Sequence, residues 1–242
     1  MKTKAFILGL LGGVLGAALI FGAVVLLGGS FITHETTQIV QSEPASFASP
    51  QGGLTPEQIY RRATPSVVEV RSTFPSQGFY GQGEGHGIGT GFVVSGKGEI
   101  LTNAHVVAEY PDQTNGLSTP LLASEVQVVL KGSGTTTKTV SAAVVGADGT
   151  TDVALLKIDP AEAPGLKPLP LGDSSKVRVG EPVVAIGNPL GLEFTMTSGI
   201  VSAVNRTLDS PTRSKIENGI QTDAAINQGN SGGPLIDAHG RV

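Results

Sequence analysis

Residues 229–234 read Gly-Asn-Ser-Gly-Gly-Pro and place one serine, Ser231, among glycines that let the surrounding backbone amides converge on one oxygen atom. A hydroxyl beside converging amides has the composition of a serine nucleophile with its oxyanion hole. The stretch also fits the G-x-S-x-G elbow of α/β-hydrolases, in which the acid and the histidine follow the serine. Asp237 and His239 do follow, but too closely to return from separate strands. Chain order therefore excludes the elbow.

Two stretches upstream offer the partners that such a serine needs. Residues 101–107 read Leu-Thr-Asn-Ala-His-Val-Val and carry His105 at the end of an apolar run, and Asp152 opens the apolar run at 153–156. A serine hydroxyl needs a base within hydrogen-bond reach, and the base needs a carboxylate that fixes its tautomer. The order histidine, aspartate, serine is that of chymotrypsin-like β-barrel proteases. We therefore predict His105, Asp152 and Ser231 as a catalytic triad.

The turn around the serine is also predicted to form the oxyanion hole, at Gly229, Asn230 and Ser231, with the amides of Gly229 and Ser231 as donors. Such a donor typically lowers the activation barrier by roughly 3–4 kcal/mol. Each residue alone has an ordinary structural reading, the serine as a turn residue and the histidine as a core or surface residue. Three matched residues in one order outweigh those readings.

With these motifs the chain resembles the HtrA (Deg-type) family of trypsin-like serine proteases over roughly residues 56–242. Besides the segments around the three residues, the resemblance is carried by residues 89–94, 185–191, 197–202 and 220–235. It implies the same triad and an activation-sensitive loop at 227–231. It also implies degradation of unfolded or mislocalised proteins outside the cytoplasm without ATP, homotrimers, and PDZ domains at the carboxy-terminal side.

Composition favours an all-β protein made of short strands. Hydrophobic residues make up 39% of the chain and charged residues 15%, and 34 glycines and 15 prolines suit many tight turns. Runs of about four to eight apolar or alternating residues predict strands. The predicted strands are residues 66–70, 90–94, 126–130, 140–145, 153–158, 182–186 and 199–204.

These strands are expected to form two Greek-key β-barrels, roughly residues 66–160 and 161 onward, with the triad in the cleft between them. A short helix should precede them, because residues 55–58 read Thr-Pro-Glu-Gln, a capping box with proline at the first helical position. It should end near Ala63, because Pro65 disfavours a helical residue before it. Glycine-rich residues 79–91 are expected to form a mobile loop.

The amino-terminal residues predict a membrane anchor. Residues 5–29 carry no charge, and at ~1.5 Å per residue they are long enough to span ~30 Å of hydrocarbon. Lys2 and Lys4 should stay cytoplasmic, which places the rest outside the cytoplasm. We predict a cytoplasmic stub and transmembrane helix at 1–29, a flexible linker at 30–54 and the protease domain at 55–242. A secretory signal that is cleaved is the alternative.

No cofactor, metal or nucleic-acid site is predicted. The net charge is −4 and no basic aromatic stripe is present, which argues against nucleic acid. Residues 91–97 fit most of a phosphate-binding loop, but Gly98 stands where serine or threonine is required. His34 and Glu35 begin a zinc motif that position 38, a glutamine, does not complete. The absence of cysteine leaves the core to stabilise the fold.

The last residues predict a strand at 234–236, a turn at 237–240 and the start of a returning strand. We expect the second barrel to be incomplete, the chain to be carboxy-terminally truncated, and this fragment alone to be inactive or poorly folded. Residues 110–124 are expected to be an insertion in the first barrel.

The predicted function is that of an extracytoplasmic serine endopeptidase of protein quality control, which binds unfolded or misfolded proteins and contacts the lipid bilayer through residues 5–29. Two alternatives stay open. One is a membrane-tethered chaperone-like or binding module with an inactive or latent triad, and the other is an esterase that uses the same triad for acyl chemistry.

Overall fold

The structure is a computed structural model and describes residues 52–75, 85–110, 120–131, 136–188, 194–212 and 214–242. All of them belong to one compact unit, residues 46–242. The anchor predicted at 5–29 and nearly all of the predicted linker lie outside the described residues. Within the described part of the chain, no helix is long and apolar enough to cross a membrane.

The described ranges contain few helices and many strands. The helices are α1 (Pro56–Ala63) and α2 (Ala104–Val107), with 3₁₀ turns at Thr64–Ser66, Pro160–Glu162 and Ser174–Lys176. The strands are β1 (Val67–Phe74), β2 (Gly85–Ser95), β3 (Glu99–Thr102), β4 (Ala108–Glu109), β5 (Leu121–Leu122), β6 (Glu125–Lys131), β7 (Thr137–Ser141), β8 (Ala143–Asp148), β9 (Val153–Lys157), β10 (Pro182–Gly187), β11 (Thr195–Asp209), β12 (Lys215–Thr222) and β13 (Leu235–Asp237).

The strands form two main sheets. The first has the order β7-β6-β1-β2-β3-β9-β8, and the second has the order β12-β11-β10-β13. Every pair is antiparallel. The short strands β4 and β5 pair with each other. The prediction of an all-β fold is confirmed, with the first sheet built before residue 160 and the second after it. That each sheet closes into a Greek-key barrel stays a prediction.

Two buried clusters support the sheets. The first cluster lies within the first sheet and is rich in valine, including Val68 and Val70 of β1. The second cluster draws residues from both sheets and from α1, so it holds the two sheets together. Its buried members are Ile59, Ala63, Val67, Phe92, Leu169, Val184, Ile186 and Ile236. Burial of these apolar side chains is the main source of stability for a chain without disulfides.

The predicted helix and its capping box are confirmed. The amide of Gln58 donates to Thr55 Oγ1 over 3.3 Å, and the amide of Thr55 donates to Gln58 Oε1 over 3.0 Å. Pro56 occupies the first helical position, and the helix ends at Ala63. Ile59 and Ala63 face the second cluster. Local chemistry thus starts this helix, and packing against both sheets retains it.

Three of the predicted boundaries are wrong. The loop predicted at 79–91 is strand from Gly85 onward, because β1 continues to Phe74 and pairs with Gly85, so that partner strands override a glycine-rich composition. The single strand predicted at 140–145 is two strands separated by Ala142, because β7 pairs with β6 while β8 pairs with β9. The strand predicted at 199–204 is the middle of β11, which is 15 residues long.

The turn predicted at 237–240 is present. Asp237 Oδ1 accepts hydrogen bonds from the amides of His239 over 2.8 Å and Arg241 over 2.9 Å. Gly240 has a φ of 79°, which favours glycine. Val242 then exchanges backbone hydrogen bonds with Pro170 and Gly172. Of the insertion predicted at 110–124, residues 111–119 lie outside the described residues.

The capping box gives a stability prediction. Thr55→Ala should lower the free energy of unfolding by about 1 kcal/mol, because the amide of Gln58 loses its acceptor. Thr55→Ser keeps the hydroxyl and should stay within about 0.5 kcal/mol of the unsubstituted protein. Urea denaturation followed by circular dichroism measures both variants. Equal destabilisation of both would contradict a capping role.

Candidate active site

His105 lies in α2, the short helix that follows β3 directly. Asn103 precedes this helix and has an extended backbone, as expected for a helix-capping position. Val106 and Val107 are buried in the first cluster, which fixes the helix against the sheet. The His105 side chain remains 26% exposed. The apolar flanks noted in the sequence thus bury the helix and leave the imidazole at the surface.

Asp152 lies in the turn between β8 and β9 and is 3% exposed. Its φ of 54° is in the left-handed region, which non-glycine residues seldom adopt and which is found at functional sites. Its carbonyl accepts from the amide of Ala104 over 3.1 Å and from Asn103 Nδ2 over 2.8 Å. Its carboxylate Oδ1 accepts from the amide of His105 over 3.0 Å. The acid turn and the histidine turn are therefore fastened together by the backbone.

The side chains of His105 and Asp152 also contact each other. Nδ1 of the imidazole lies 2.8 Å from Asp152 Oδ2 and 3.1 Å from Oδ1. An ionised carboxylate only accepts hydrogen bonds, so Nδ1 must carry the proton in this arrangement. In the neutral ring, Nε2 is then left as the acceptor. This is the tautomer in which histidine takes a proton from a serine hydroxyl.

Ser231 is held against the first sheet by Thr90 of β2, which is fully buried. The amide of Thr90 donates to the carbonyl of Ser231 over 2.8 Å, and its hydroxyl donates to the carbonyl of Gly229 over 2.5 Å. The hydroxyl of Thr102 on β3 in turn donates to the carbonyl of Thr90 over 2.7 Å. Strands β2 and β3 of one sheet thus position a turn that belongs to the other.

Two glycines allow this close approach. A Cβ on Gly89 would lie 2.7 Å from a methyl group of Val106, the neighbour of His105, and 3.0 Å from the Ser231 carbonyl oxygen. A Cβ on Gly232 would lie 2.8 Å from the amide nitrogen of Asn103, two residues before His105. The structure therefore brings all three predicted residues, His105, Asp152 and Ser231, to the same end of the first sheet.

The turn at 229–233 is folded tightly around the predicted oxyanion donors. Gly229 has a φ of 97°, and the carbonyl of Asn230 accepts from the amide of Gly233 over 2.8 Å. The amide of Asn230 donates back to Asn227 over 3.1 Å. The amides of Gly229 and Ser231 donate to no other residue that the structure describes. These are the two amides predicted from the sequence as oxyanion donors, whereas the amide of Asn230 is engaged in the turn.

The residues that support the turn carrying Asp152 were not predicted from the sequence. The hydroxyls of Thr212 and Ser214, in the connection between β11 and β12, each donate to the carbonyl of Gly149 over 2.6 Å. The Tyr110 ring packs against Gly149 so closely that a Cβ on this glycine would collide with the ring. Burial, and then the charge of Asp152, raise the pKa of the Tyr110 phenol. No local pattern identifies these contacts, since they join distant segments.

Comparison with known proteins finds similar trypsin-like and HtrA-type proteases. The family model described as a trypsin-like peptidase domain matches residues 89–242. Protease Do-like 8, chloroplastic, of Arabidopsis thaliana is 39% identical over 80% of this chain and 44% of its own length. A probable periplasmic serine endoprotease, DegP-like, of Pseudomonas putida is 45% identical over 66% of this chain and 29% of its own. The crystal structure of Deg5 is 38% identical, covers 76% of this chain and 79% of its own, and superposes with a TM-score of 0.59.

The chain spans less than half of the length of these two curated relatives, at 44% and 29%. The matched region contains His105, Asp152 and Ser231. The family model, the relatives and the likeness of fold lead to one conclusion: this chain belongs to the HtrA (Deg-type) family of trypsin-like serine proteases.

Proposed function

We propose that this chain is the catalytic part of a serine endopeptidase in which Ser231 is the nucleophile, His105 the general base and Asp152 the residue that orients the base. The observation that carries the proposal is the paired contact of Asp152 with Nδ1 and the backbone amide of His105. That contact costs a left-handed φ at Asp152 and burial of a carboxylate, which an ordinary turn does not require.

The chemistry follows from this arrangement. His105 Nε2 takes the hydroxyl proton of Ser231 while Ser231 Oγ attacks the carbonyl carbon of the scissile peptide bond. The imidazolium that forms is stabilised by the Asp152 carboxylate, which does not itself become protonated. His105 then gives the proton to the leaving amine, and an acyl-enzyme remains. Water attacks the acyl group by the same base catalysis and restores the serine.

The oxyanion hole stabilises both tetrahedral intermediates. The amides of Gly229 and Ser231 donate to the carbonyl oxygen as its charge develops, and Asn230 keeps the turn closed between them. Thr90 holds the carbonyls of Gly229 and Ser231, the two residues whose amides are the proposed donors, and so restrains the turn before substrate arrives. Fixed donors are effective because little reorganisation is needed when charge appears.

We propose that the substrates are unfolded or damaged proteins outside the cytoplasm. The family to which the chain belongs and the periplasmic and chloroplastic names of its relatives support this assignment. We also propose that the domain order is an anchor at 1–29, a linker at 30–54 and the protease at 55–242, on the charge pattern of the sequence. Assembly as a homotrimer rests on the family likeness alone.

A serine-directed fluorophosphonate probe tests the nucleophile. The full-length protein should be labelled, Ser231→Ala should not be, and Ser202→Ala, which removes another serine hydroxyl of the second sheet, should label normally. The preparations that retain Ser231 should cleave unfolded casein but not a stably folded protein. Ser231→Ala should cleave neither. Labelling of Ser231→Ala would place the nucleophile elsewhere. Labelling without casein cleavage, joined to ester hydrolysis, would indicate an esterase.

Asp152→Asn tests the orienting role. The asparagine oxygen can still accept from the amide of His105, so the fold should persist. Its amide group would donate to Nδ1 and move the ring proton to Nε2, so kcat should fall by about 10⁴-fold with the melting temperature little changed. His239→Ala, which alters an exposed histidine outside the triad, serves as the control. A loss of less than tenfold for Asp152→Asn would remove Asp152 from the triad.

A reporter fusion tests the location. Residues 1–54 joined to alkaline phosphatase without its own signal should give active phosphatase that stays with bacterial membranes after carbonate washing. Val14→Arg with Leu19→Arg should abolish that retention, because each charge costs about 2.5–3.5 kcal/mol at the centre of a span. Active but soluble phosphatase would indicate a cleaved signal. Inactive phosphatase would contradict export.

A further inference from the structure

Glu69 is a carboxylate on the face of β1 where the strand pattern calls for an apolar residue. Side chains of a strand alternate between its two faces, and Val67, two residues earlier, lies in the second cluster shared by the sheets. Glu69 is only 1% exposed. A buried ionised carboxylate is strongly unfavourable unless it is paired and hydrogen-bonded. The residues that bind the Glu69 carboxylate therefore indicate why a charged residue is buried at this position.

Glu69 has partners in both sheets. Within β1, Arg71 Nε donates to its Oε1. From the second sheet, Asn188 Nδ2 donates to its Oε2 over 2.9 Å. Asn188 is the first residue after β10 and is 6% exposed. The carboxylate thus binds the end of β10 to the middle of β1, through a charge-assisted hydrogen bond in an environment that excludes water.

The hydrogen bonds continue from Asn188 to the oxyanion turn. The backbone amide of Asn188 donates to Thr90 Oγ1 over 2.9 Å, and the same hydroxyl donates to the Gly229 carbonyl over 2.5 Å. Glu69 and Thr90 are direct cross-strand partners on β1 and β2. In this series the Thr90 hydroxyl both accepts and donates, so its two hydrogen bonds strengthen each other, and the backbone and side chain of Asn188 connect them to Glu69.

A packing contact joins the same segments by a second route. A Cβ on Gly187 would lie 2.8 Å from the Cα of Asn230, so the backbone before Asn188 rests directly on the turn. Any shift of Asn188 would therefore act on the turn twice, through Thr90 and through Gly187. Gly229, one of the proposed donors, and Asn230, which lies between the two donors, are therefore both restrained from the end of β10.

From these contacts we propose that Glu69 is a positioning residue for the oxyanion hole. It fixes Asn188, which orients the Thr90 hydroxyl on the Gly229 carbonyl and so holds the turn in the conformation that presents the amides of Gly229 and Ser231. This inference rests on the proposed function for its catalytic consequence. Its structural part, control of the turn by Glu69, can be measured without catalysis.

The kinetic test uses the full-length protein and a quenched fluorescent peptide taken from a mapped casein cleavage site. Glu69→Gln should lower kcat by about tenfold while KM stays within about twofold, since the hole acts on the transition state rather than on bound substrate. Asn188→Ala should show the same pattern. Glu99→Gln removes a half-exposed carboxylate from β3 of the same sheet and should change neither constant.

A double-substitution cycle tests the route through Thr90. Thr90→Val keeps the shape and removes the hydroxyl, and it should lower kcat by about 100-fold. In that background Glu69→Gln should change kcat by less than about twofold, because the relay is already broken. A further tenfold loss in the Thr90→Val background, or a loss confined to KM, would overturn the proposal.

Hydrogen–deuterium exchange decides the structural part. In Glu69→Gln, peptides covering residues 225–233 should exchange at least about threefold faster, whereas β9 should exchange as in the unsubstituted protein. Unchanged exchange at 225–233 would overturn the proposal, as would equal acceleration throughout the protein. If the unsubstituted protein is not labelled by the serine probe, the proposed function fails, while the exchange result still decides the role of Glu69.

Discussion

The hydrogen bonds of Thr90 to the carbonyls of Gly229 and Ser231 are the interaction on which the arrangement of this site depends. The serine turn belongs to the second sheet in chain order, yet its conformation is set by a fully buried residue of the first. A turn rich in glycine has many accessible conformations, and ordering it costs conformational entropy. Two bonds from a rigid strand make one conformation the stable one.

Asp152 and His105 are held together within one sheet, unlike the serine turn, which is held by a strand of the other sheet. Asp152 and His105 both come from connections of the first sheet. The amide of Ala104 donates to the Asp152 carbonyl and that of His105 to the Asp152 carboxylate, so hydrogen bonds from backbone amides join the two turns. The pair is therefore organised within one sheet, while Ser231, the proposed nucleophile, approaches it from the other sheet. The geometry of the proposed site consequently depends on the second hydrophobic cluster, in which both sheets and α1 share one core.

Burying polar residues in this interface costs desolvation free energy, which burial of the apolar cluster must offset. Glu69, Thr90 and Asn188 are all buried where apolar side chains would pack without hydrogen-bonding constraints. Buried polar groups that are hydrogen-bonded restrict the number of conformations more than apolar contacts do, because hydrogen bonds are directional. Their concentration between the sheets, next to the serine turn, is consistent with a site whose donors must be held in place.

Much of this protein follows from residue type and order alone. The all-β class and the capping box of α1 could be predicted from the sequence, because they rest on local chemistry. His105, Asp152 and Ser231 could be proposed as a triad because they occur in the order that a known triad requires. The start of β2 at Gly85 and the break between β7 and β8 at Ala142 could not be predicted from the sequence, because pairing with distant strands decides them. The roles of Glu69 and Asn188 are the clearest case: their side chains meet across 119 positions of sequence, and only tertiary structure brings a carboxylate in an apolar strand to its partner.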